Sequence, residues 1–296
     1  MAQRARRDSF HDIREGHTEV LIHPDFQRRL QAMGIERVSD IIEKAVADPH
    51  RRGRQVCRVF APPRGDDRRY LIRHYTRGGL FRRFLGDRFL FGSRPFRELL
   101  TTEEIRNRGV RTARALAALC HRTGFFFYRG DLVTEEIPDS QDLASFFSGD
   151  SAPLSPDETA LRREAASQAG QTVRFMHDQG VYHGDLNLKN LLVRRGARSH
   201  PTVYVIDLDR STMRTSLSTR ARIRNLLRLN RSVEKLKRKG VCVRYADRAR
   251  FFHAYARGDP RIVRAMKDRL KRDRLWAHWH RMGWALDRLV NPSDPS

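Results

Sequence analysis

The pattern of apolar and polar positions predicts one long helix near the middle of the chain. Ser155 suits the N-cap, Pro156 suits the first turn, and Glu158 completes a capping box. Apolar or small residues then recur at helical spacing, at Leu161, Ala165, Ala169, Thr172, Val173 and Met176. This spacing predicts an amphipathic helix that ends near Gly180.

Runs of β-forming residues predict a small sheet upstream of that helix. Strands are predicted in QVCRVFAP at 55–62 and in YLIRHY at 70–75, and the PRGDD segment at 63–67 has the composition of a turn. The segment FFFYRGDLVTEEI at 125–137 predicts a further pair of strands around a turn at 129–130.

One helix is predicted between these strands. Pro95 can open it, and the pattern ends at Gly109. Its apolar positions are Phe96, Leu99, Leu100 and Ile105. A shorter helical pattern covers 38–46. The order strand, strand, helix, strand predicts a small sheet with one helix packed on it.

A Ser-, Pro- and Asp-rich segment at 147–158 predicts a domain boundary. The sequence therefore predicts an α+β fold with two lobes. Residues 51–140 form a small N-terminal β-sheet lobe with one helix, and residues 141–290 form a larger, mainly helical C-terminal lobe. Residues 1–50 are expected to be an extension that packs on the small lobe.

Two polar motifs follow the long helix, VYHGDLNLKN at 181–190 and VYVIDLDR at 203–210. Between Asn190 and Asp207 the chain reads as a strand, a turn and a second strand, and such a hairpin returns Asp207 beside Asn190. Asp185 lies in the same loop, five residues before Asn190. We expect these three oxygen-bearing side chains to converge.

These residue types fit phosphoryl transfer. Asn190 and Asp207 offer the hard oxygen ligands that Mg²⁺ takes when it also binds substrate phosphates, and Asp185 can accept a proton from an attacking hydroxyl. The same spacing occurs in protein kinases, so it predicts a bilobal protein-kinase-like fold. The competing interpretation is a loop whose polar side chains only hydrogen-bond one another.

A kinase also needs a cation for the nucleotide phosphates. Arg73 stands on the predicted strand where a Lys is usual, and Glu98 on the following helix can hold it. Lys189 and Arg210 are further candidate contacts to the transferred phosphate or to an acidic acceptor. Arg is not equivalent to Lys, and Gly53 stands alone where kinases have a Gly-rich loop. Two interpretations stay open: either Arg is usual at this position in the protein's lineage, or the site is inactive.

The chain carries a net charge of +24, most of it in the last third. Residues 210–290 contain 24 Lys and Arg against six Asp and Glu. Such a field suits a polyanionic partner, whereas the simpler interpretation is a solvated surface in an Arg-rich protein. The amphipathic segment 219–239 would either rest on an anionic bilayer or form a core helix with solvated basic flanks.

Composition argues against several other classes of protein. No apolar run approaches the about 20 residues that span a bilayer, and the basic N-terminus lacks the apolar segment of a signal peptide. Three cysteines without metal-ligand spacing are expected to be reduced thiols in a cytoplasmic protein.

The sequence resembles the bacterial lipopolysaccharide kinases, and the likeness extends roughly over residues 52–239. Three stretches carry it: LIRHYTRGGLFRRFLGDRFLFGSRPFRELL at 71–100, VYHGDLNLKNLLV at 181–193 and VYVIDLDRS at 203–211. NLLRLNRSVEKL at 225–236 supports it. RHYTRGG and GDRFL are more particular to this family than the catalytic loop, which sugar and aminoglycoside kinases share. Arg at the position of Arg73 looks usual in that family.

The resemblance implies an ATP-dependent kinase at the cytoplasmic face of the inner membrane of a Gram-negative bacterium. It would phosphorylate the 4-OH of a 3-deoxy-D-manno-octulosonic acid (Kdo) residue on a lipid A precursor. Asp185 would be the catalytic base, and Asn190 and Asp207 would bind Mg²⁺. Arg73, Glu98 and Lys189 would bind ATP. The basic C-terminal third would contact the anionic membrane surface.

Two alternatives stay open at this point. The acceptor could be a core heptose, another small sugar or a protein hydroxyl, because the sequence of the catalytic loop does not depend on which hydroxyl accepts the phosphate. The chain could also be a silent kinase fold that binds a polyanion. Nucleic acid is the least expected partner, since no base-reading motif accompanies the charge.

Overall fold

The computed structural model describes residues 9–47, 57–62, 68–76, 87–90, 92–124, 126–148, 155–196, 200–238 and 240–272. The predicted turn at 63–67, Gly53, residues 149–154 of the predicted boundary segment and the tail after residue 272 lie outside these ranges. The chain forms two compact units, residues 1–107 with 113–137 and residues 108–112 with 138–296.

The first unit is built on one antiparallel sheet. Its strands are β1 (His11–Glu15), β2 (Thr18–Ile22), β3 (Val46–Ala47), β4 (Cys57–Phe60), β5 (Tyr70–His74), β6 (Phe89–Leu90), β7 (Ala115–Arg122) and β8 (Phe127–Glu135). Its helices are α1 (Pro24–Ala32), α2 (Val38–Lys44) and α3 (Arg94–Asn107). The strand order is β1-β2-β7-β8-β5-β4-β3, and β6 pairs with β8.

Both faces of this sheet are covered by helices. Leu119 of β7 belongs to the apolar cluster under α1 and α2, whereas its neighbour Cys120 belongs to the cluster under α3. This division follows from the alternation of side chains along a strand. A strand buried on both faces is a continuous apolar run without alternation, and for that reason β7 was not predicted as a strand.

The predicted strand pair around a turn at 129–130 is wrong. Strand β8 continues through both residues and pairs with β7 and β5 on its two sides. A Cβ at Gly130 would run into the ring of Pro95 in α3, so the glycine allows close packing of helix on strand and does not form a turn. Strands β1 and β2 and helix α1 were also not predicted; β2 pairs with β7.

The second unit is mainly helical. Its helices are α4 (Leu143–Phe147), α5 (Pro156–Asp178), α6 (Thr219–Lys237), α7 (Tyr245–Ala256) and α8 (Pro260–Arg272). Its strands are β9 (Ser140–Asp142), β10 (Val181–Tyr182), β11 (Leu191–Arg194), β12 (Thr202–Val205) and β13 (Thr212–Met213). They form a three-stranded sheet, β12-β11-β9, and the pair β10-β13.

Helix α5 begins as the sequence predicted. The Ser155 hydroxyl accepts a hydrogen bond from the main-chain N of Glu158, and the Glu158 carboxylate accepts one from the Ser155 main-chain N at 2.9 Å. At Gly170 a Cβ would collide with the Phe251 carbonyl of α7. This glycine therefore lets α5 and α7 approach closely.

Helix α6 buries its apolar face inside the second unit. Ile223, Leu226 and Val233 are each at most 5% exposed, and this agrees with a core helix with solvated basic flanks. Any membrane contact of α6 would therefore have to use its charged face. Within the described ranges, no helix is long and apolar enough to cross a membrane.

Candidate active site

The polar loop after α5 is anchored by the hairpin that follows it. Strands β11 and β12 pair with Leu191 opposite Val205, and the main-chain N of Ile206 donates to the Asn190 carbonyl at 3.0 Å. Asp207 is thus the residue after the one that faces Asn190. The predicted hairpin is present, and it places the main chain of Asp207 near that of Asn190, the two candidate Mg²⁺ ligands.

The main chain of Asp185 is held from three directions. The side-chain amides of Asn187 and Asn190 both donate to the Asp185 carbonyl at 2.9 Å, and the Asp185 N donates to Nδ1 of His183 at 3.1 Å. Its side chain is 51% exposed. A fixed backbone with an accessible carboxylate is what a proton acceptor for an incoming hydroxyl requires.

His183 braces this loop as a neutral imidazole. Its Nε2 lies 3.0 Å from the Ile206 carbonyl, which can only accept, so Nε2 carries the hydrogen and Nδ1 is free to accept from Asp185. The ring is completely buried, and burial lowers the pKa of His183 below its usual value. His183 therefore connects the loop to the end of β12.

A buried polar network behind His183 joins three helices to the loop. Asn225 of α6 donates to the His183 carbonyl at 2.7 Å, and its Oδ1 accepts from the His183 N at 3.3 Å and from Nε2 of His177 at 3.0 Å. The Tyr255 hydroxyl of α7 donates to Nδ1 of His177 at 2.7 Å. All four side chains are fully buried.

The charge states in this network follow from its burial. Burial lowers the pKa of His177 to about 4 and raises the pKa of Tyr255 to about 12. Both side chains are therefore neutral at physiological pH. Because each donor in the chain meets one acceptor, the network is satisfied without a buried charge.

Helix α6 makes two further contacts with the loop. The Ser232 hydroxyl accepts from the main-chain N of Leu188 at 3.2 Å, and Nη1 of Arg228 lies 3.3 Å from Oδ1 of Asp185. Asn225, Arg228 and Ser232 are spaced so that one side of the helix faces the loop. None of these three residues was predicted as part of the site, although the polar Asn225 beside the buried Leu226 was a signal for one of them.

The DLD segment lies directly against the loop. A Cβ at Gly184 would collide with the Arg210 carbonyl, so only glycine fits in the HGD motif. Asp207 adopts a left-handed backbone with φ of 60°, a conformation that Asp tolerates better than most residues. The side chains of Lys189 and Arg210 are exposed.

Arg73 and Glu98 form an ion pair in the first unit. The Arg73 guanidinium of β5 contacts the Glu98 carboxylate of α3, and the Tyr75 hydroxyl donates to the same carboxylate. Nη2 of Arg73 donates to the Tyr75 hydroxyl at 3.2 Å. Glu98 is 3% exposed, so its charge is compensated by Arg73. Their role toward a nucleotide stays a prediction, and Tyr75 is a partner that sequence analysis did not identify.

The donor atoms near Asn190 fit a magnesium ion. Nδ2 of Asn190 is engaged with the Asp185 carbonyl, and this leaves Oδ1 as the amide's donor atom for a cation. An amide oxygen with the Asp207 carboxylate suits Mg²⁺ when phosphates and water complete its shell. Within the described ranges no group of three His, Cys, Asp or Glu residues could hold a metal by itself.

Acidification from pH 6.5 to 5 is expected to lower the free energy of unfolding. His177 and His183 have pKa values below 6.5 when folded, so the unfolded chain binds more protons in this range. Protonation of each histidine lowers the free energy of unfolding by at most about 1.4 kcal/mol per pH unit. The decrease ends near the pKa that the histidine has in the folded protein. Urea unfolding at pH 7, 6 and 5 measures the effect.

His74 of the first unit contributes to the pH dependence of stability with the opposite sign. A hydrogen bond to Asp131 raises the pKa of His74, so its contribution is complete below pH 6.5 and is lost only as the pH rises through the raised pKa. NMR titration of the imidazole protons should show His177 neutral down to about pH 5. Protonation of His177 near pH 6.5 in the folded protein would contradict the prediction.

Comparison with known proteins gives one family. A sequence profile of the lipopolysaccharide kinase (Kdo/WaaP) family matches residues 40–255. A relative from Vibrio cholerae serotype O1, named 3-deoxy-D-manno-octulosonic acid kinase, is 32% identical over 168 residues, which are 55% of this chain and 65% of the relative. A relative of the same name from Vibrio vulnificus is 33% identical over 55% of this chain and 64% of its own length. The chain thus spans less than two thirds of these relatives.

A solved structure shows the fold. The structure described as WaaP in complex with acyl carrier protein is similar with a TM-score of 0.53 and 20% identity, over 85% of this chain and 98% of that one. This likeness confirms the predicted kinase-like α+β fold. The profile match covers well over half of the sequence, and the chain belongs to the lipopolysaccharide kinase (Kdo/WaaP) family.

Proposed function

We propose that this protein is an ATP-dependent kinase that phosphorylates the 4-OH of a Kdo residue on a lipid A precursor. The observation that carries the proposal is the loop in which the backbone of Asp185 is fixed and its carboxylate is accessible. The family and the names of the relatives support the choice of acceptor.

In the proposed reaction, the acceptor hydroxyl attacks the γ-phosphorus of ATP. Asp185 accepts the hydroxyl proton, the bond between the γ-phosphorus and the bridging oxygen breaks, and ADP leaves. Loss of the proton raises the nucleophilicity of the oxygen as the new bond forms. The bonds from Asn187 and Asn190 hold Asp185 in place for this step.

The remaining site residues are proposed to bind the nucleotide. In the first unit, Arg73 held by Glu98 is proposed to contact the nucleotide phosphates. In the second unit, Lys189 is proposed as a further cation for the phosphates. Asn190 and Asp207 would hold Mg²⁺. When bound, the metal ion neutralises charge that develops on the phosphate oxygens.

We also propose that the protein works as a peripheral protein at the cytoplasmic face of the inner membrane. The support is electrostatic, because 24 Lys and Arg stand against six Asp and Glu in residues 210–290. Each basic residue near an anionic surface contributes about 1 kcal/mol of attraction. The acceptor is itself a polyanionic lipid in such a surface.

Transfer of label from Mg²⁺ and [γ-³²P]ATP to a Kdo-bearing lipid A precursor tests the function. The purified chain is expected to label the lipid, and NMR of the product should place the phosphate on the 4-OH. If label appeared only on a heptose-bearing or protein acceptor, that acceptor and not Kdo would be the substrate. Bound ATP without turnover on any acceptor would instead favour a silent fold that binds polyanions.

A further inference from the structure

Arg228 of α6 is the cation beside the proposed base. Its Nη1 lies 3.3 Å from Oδ1 of Asp185, and its side chain is 42% exposed. A guanidinium carries five N–H donors. Among the described residues, this bond is the only hydrogen bond of Arg228 to protein, so its other donors remain available to a ligand.

Fold stability does not explain this pair. Ion pairs between half-exposed side chains contribute about 0–1 kcal/mol, and the contact is a single bond without the two parallel bonds of a strong Arg–carboxylate pair. The buried side of α6 is formed instead by residues such as Leu226, Leu229 and Val233. The position of Arg228 therefore points to a partner outside the chain.

Basic side chains lie on the same stripe of α6. Arg224 precedes Arg228 by four residues, and Arg231 and Lys235 follow it by three and seven, so all four share one face. The other three are exposed. Within the described ranges, Arg228 is the member of this stripe that is bonded to Asp185. It is thus placed where an acceptor must bind.

We propose that Arg228 binds the carboxylate of the acceptor sugar and so selects an acidic sugar as substrate. The inference rests on the proposed function. In Kdo, four bonds separate the carboxylate carbon from the 4-OH oxygen, a span of about 5 Å at most. A 4-OH bonded to Asp185 therefore brings the carboxylate within reach of a guanidinium that already touches the same Asp185.

Arg suits this role because its planar fork forms two parallel bonds with a carboxylate. Binding of the acceptor would also satisfy donors of Arg228 that face solvent. A neutral heptose offers no charge at this position and would be a weaker acceptor. The other basic residues of the stripe would attract the lipid without distinguishing acidic from neutral sugars.

The test compares two acceptors and two variants in detergent micelles. The acceptors are the Kdo-bearing lipid A precursor and its methyl ester, which lacks the charge; the variants are Arg228→Gln and, as the matched control, Arg224→Gln. Wild type is expected to prefer the acid over the ester about 30-fold in kcat/KM. Arg228→Gln should lose this preference through a higher KM for the acid, with KM for ATP unchanged, whereas Arg224→Gln should keep it.

Other results would overturn the inference. An equal loss on acid and ester would mean that Arg228 only positions Asp185, and an unchanged preference in Arg228→Gln would place the carboxylate elsewhere. Wild type that labels neither acceptor would instead refute the proposed function, and the inference with it. The two failures are therefore distinguishable.

Discussion

Replacing Asp185 with Asn is expected to lower kcat for phosphate transfer by about 10³-fold. The amide has nearly the same shape as the carboxylate but cannot accept the hydroxyl proton. The bonds that hold this loop use the main-chain N and carbonyl of Asp185, so they survive the substitution. Single-turnover transfer from labelled ATP measures the rate, and equilibrium binding measures the affinity for ATP, which should change little.

A matched control distinguishes the loss of the proton acceptor from the loss of a negative charge elsewhere in the protein. Asp157→Asn removes an acid from the exposed first turn of α5 and should retain wild-type transfer within about twofold. Transfer by Asp185→Asn at the wild-type rate would refute Asp185 as the base. A loss confined to KM for ATP would instead assign Asp185 to nucleotide binding.

Asn225→Leu is expected to lower the free energy of unfolding by about 4 kcal/mol. Leucine has a similar volume, but it leaves Nε2–H of His177 and both main-chain groups of His183 buried without their partner. Each unsatisfied buried group costs about 1–3 kcal/mol. Urea unfolding followed by circular dichroism measures the change.

The same substitution should also reduce transfer, because Asn225 fixes the residue two positions before Asp185. Asn230→Leu is the control on the same helix, since Asn230 is partly exposed, and it should change stability by less than about 0.5 kcal/mol. Equal stability of Asn225→Leu and wild type would show that the buried network contributes nothing. A folded Asn225→Leu with full activity would contradict the positioning of the loop.

Elements whose signals are local were predicted well. The capping box at Ser155 and the 3.6-residue spacing after it involve neighbours in sequence, and α5 begins at Pro156 as expected. Strand β8 was predicted wrongly because an Arg-Gly pair usually marks a turn, whereas Gly130 is required by the ring of Pro95. Contacts between distant residues override local preference in such cases.

The residues of the candidate site also fall into two groups, those that local spacing predicts and those that it does not. Asp185, Asn190 and Asp207 were proposed from spacing alone, and one loop and one hairpin place their main chains near one another. The residues of α6 that hold the loop could not be proposed in this way, since Asn225 and Arg228 lie more than 40 residues beyond their partners. Only the packing of α6 against the loop decides which of its polar residues face it.

The sequence by itself determined the kinase-like fold class, the long helix and the hairpin that follows the polar loop. Short-range spacing carries that information, since helix and hairpin geometry fix which neighbours meet. The tertiary structure alone decided that α6 is a core helix, that His183 is neutral and that Arg228 stands beside Asp185. These properties depend on burial and on contacts between segments far apart in the chain, and no local pattern encodes them.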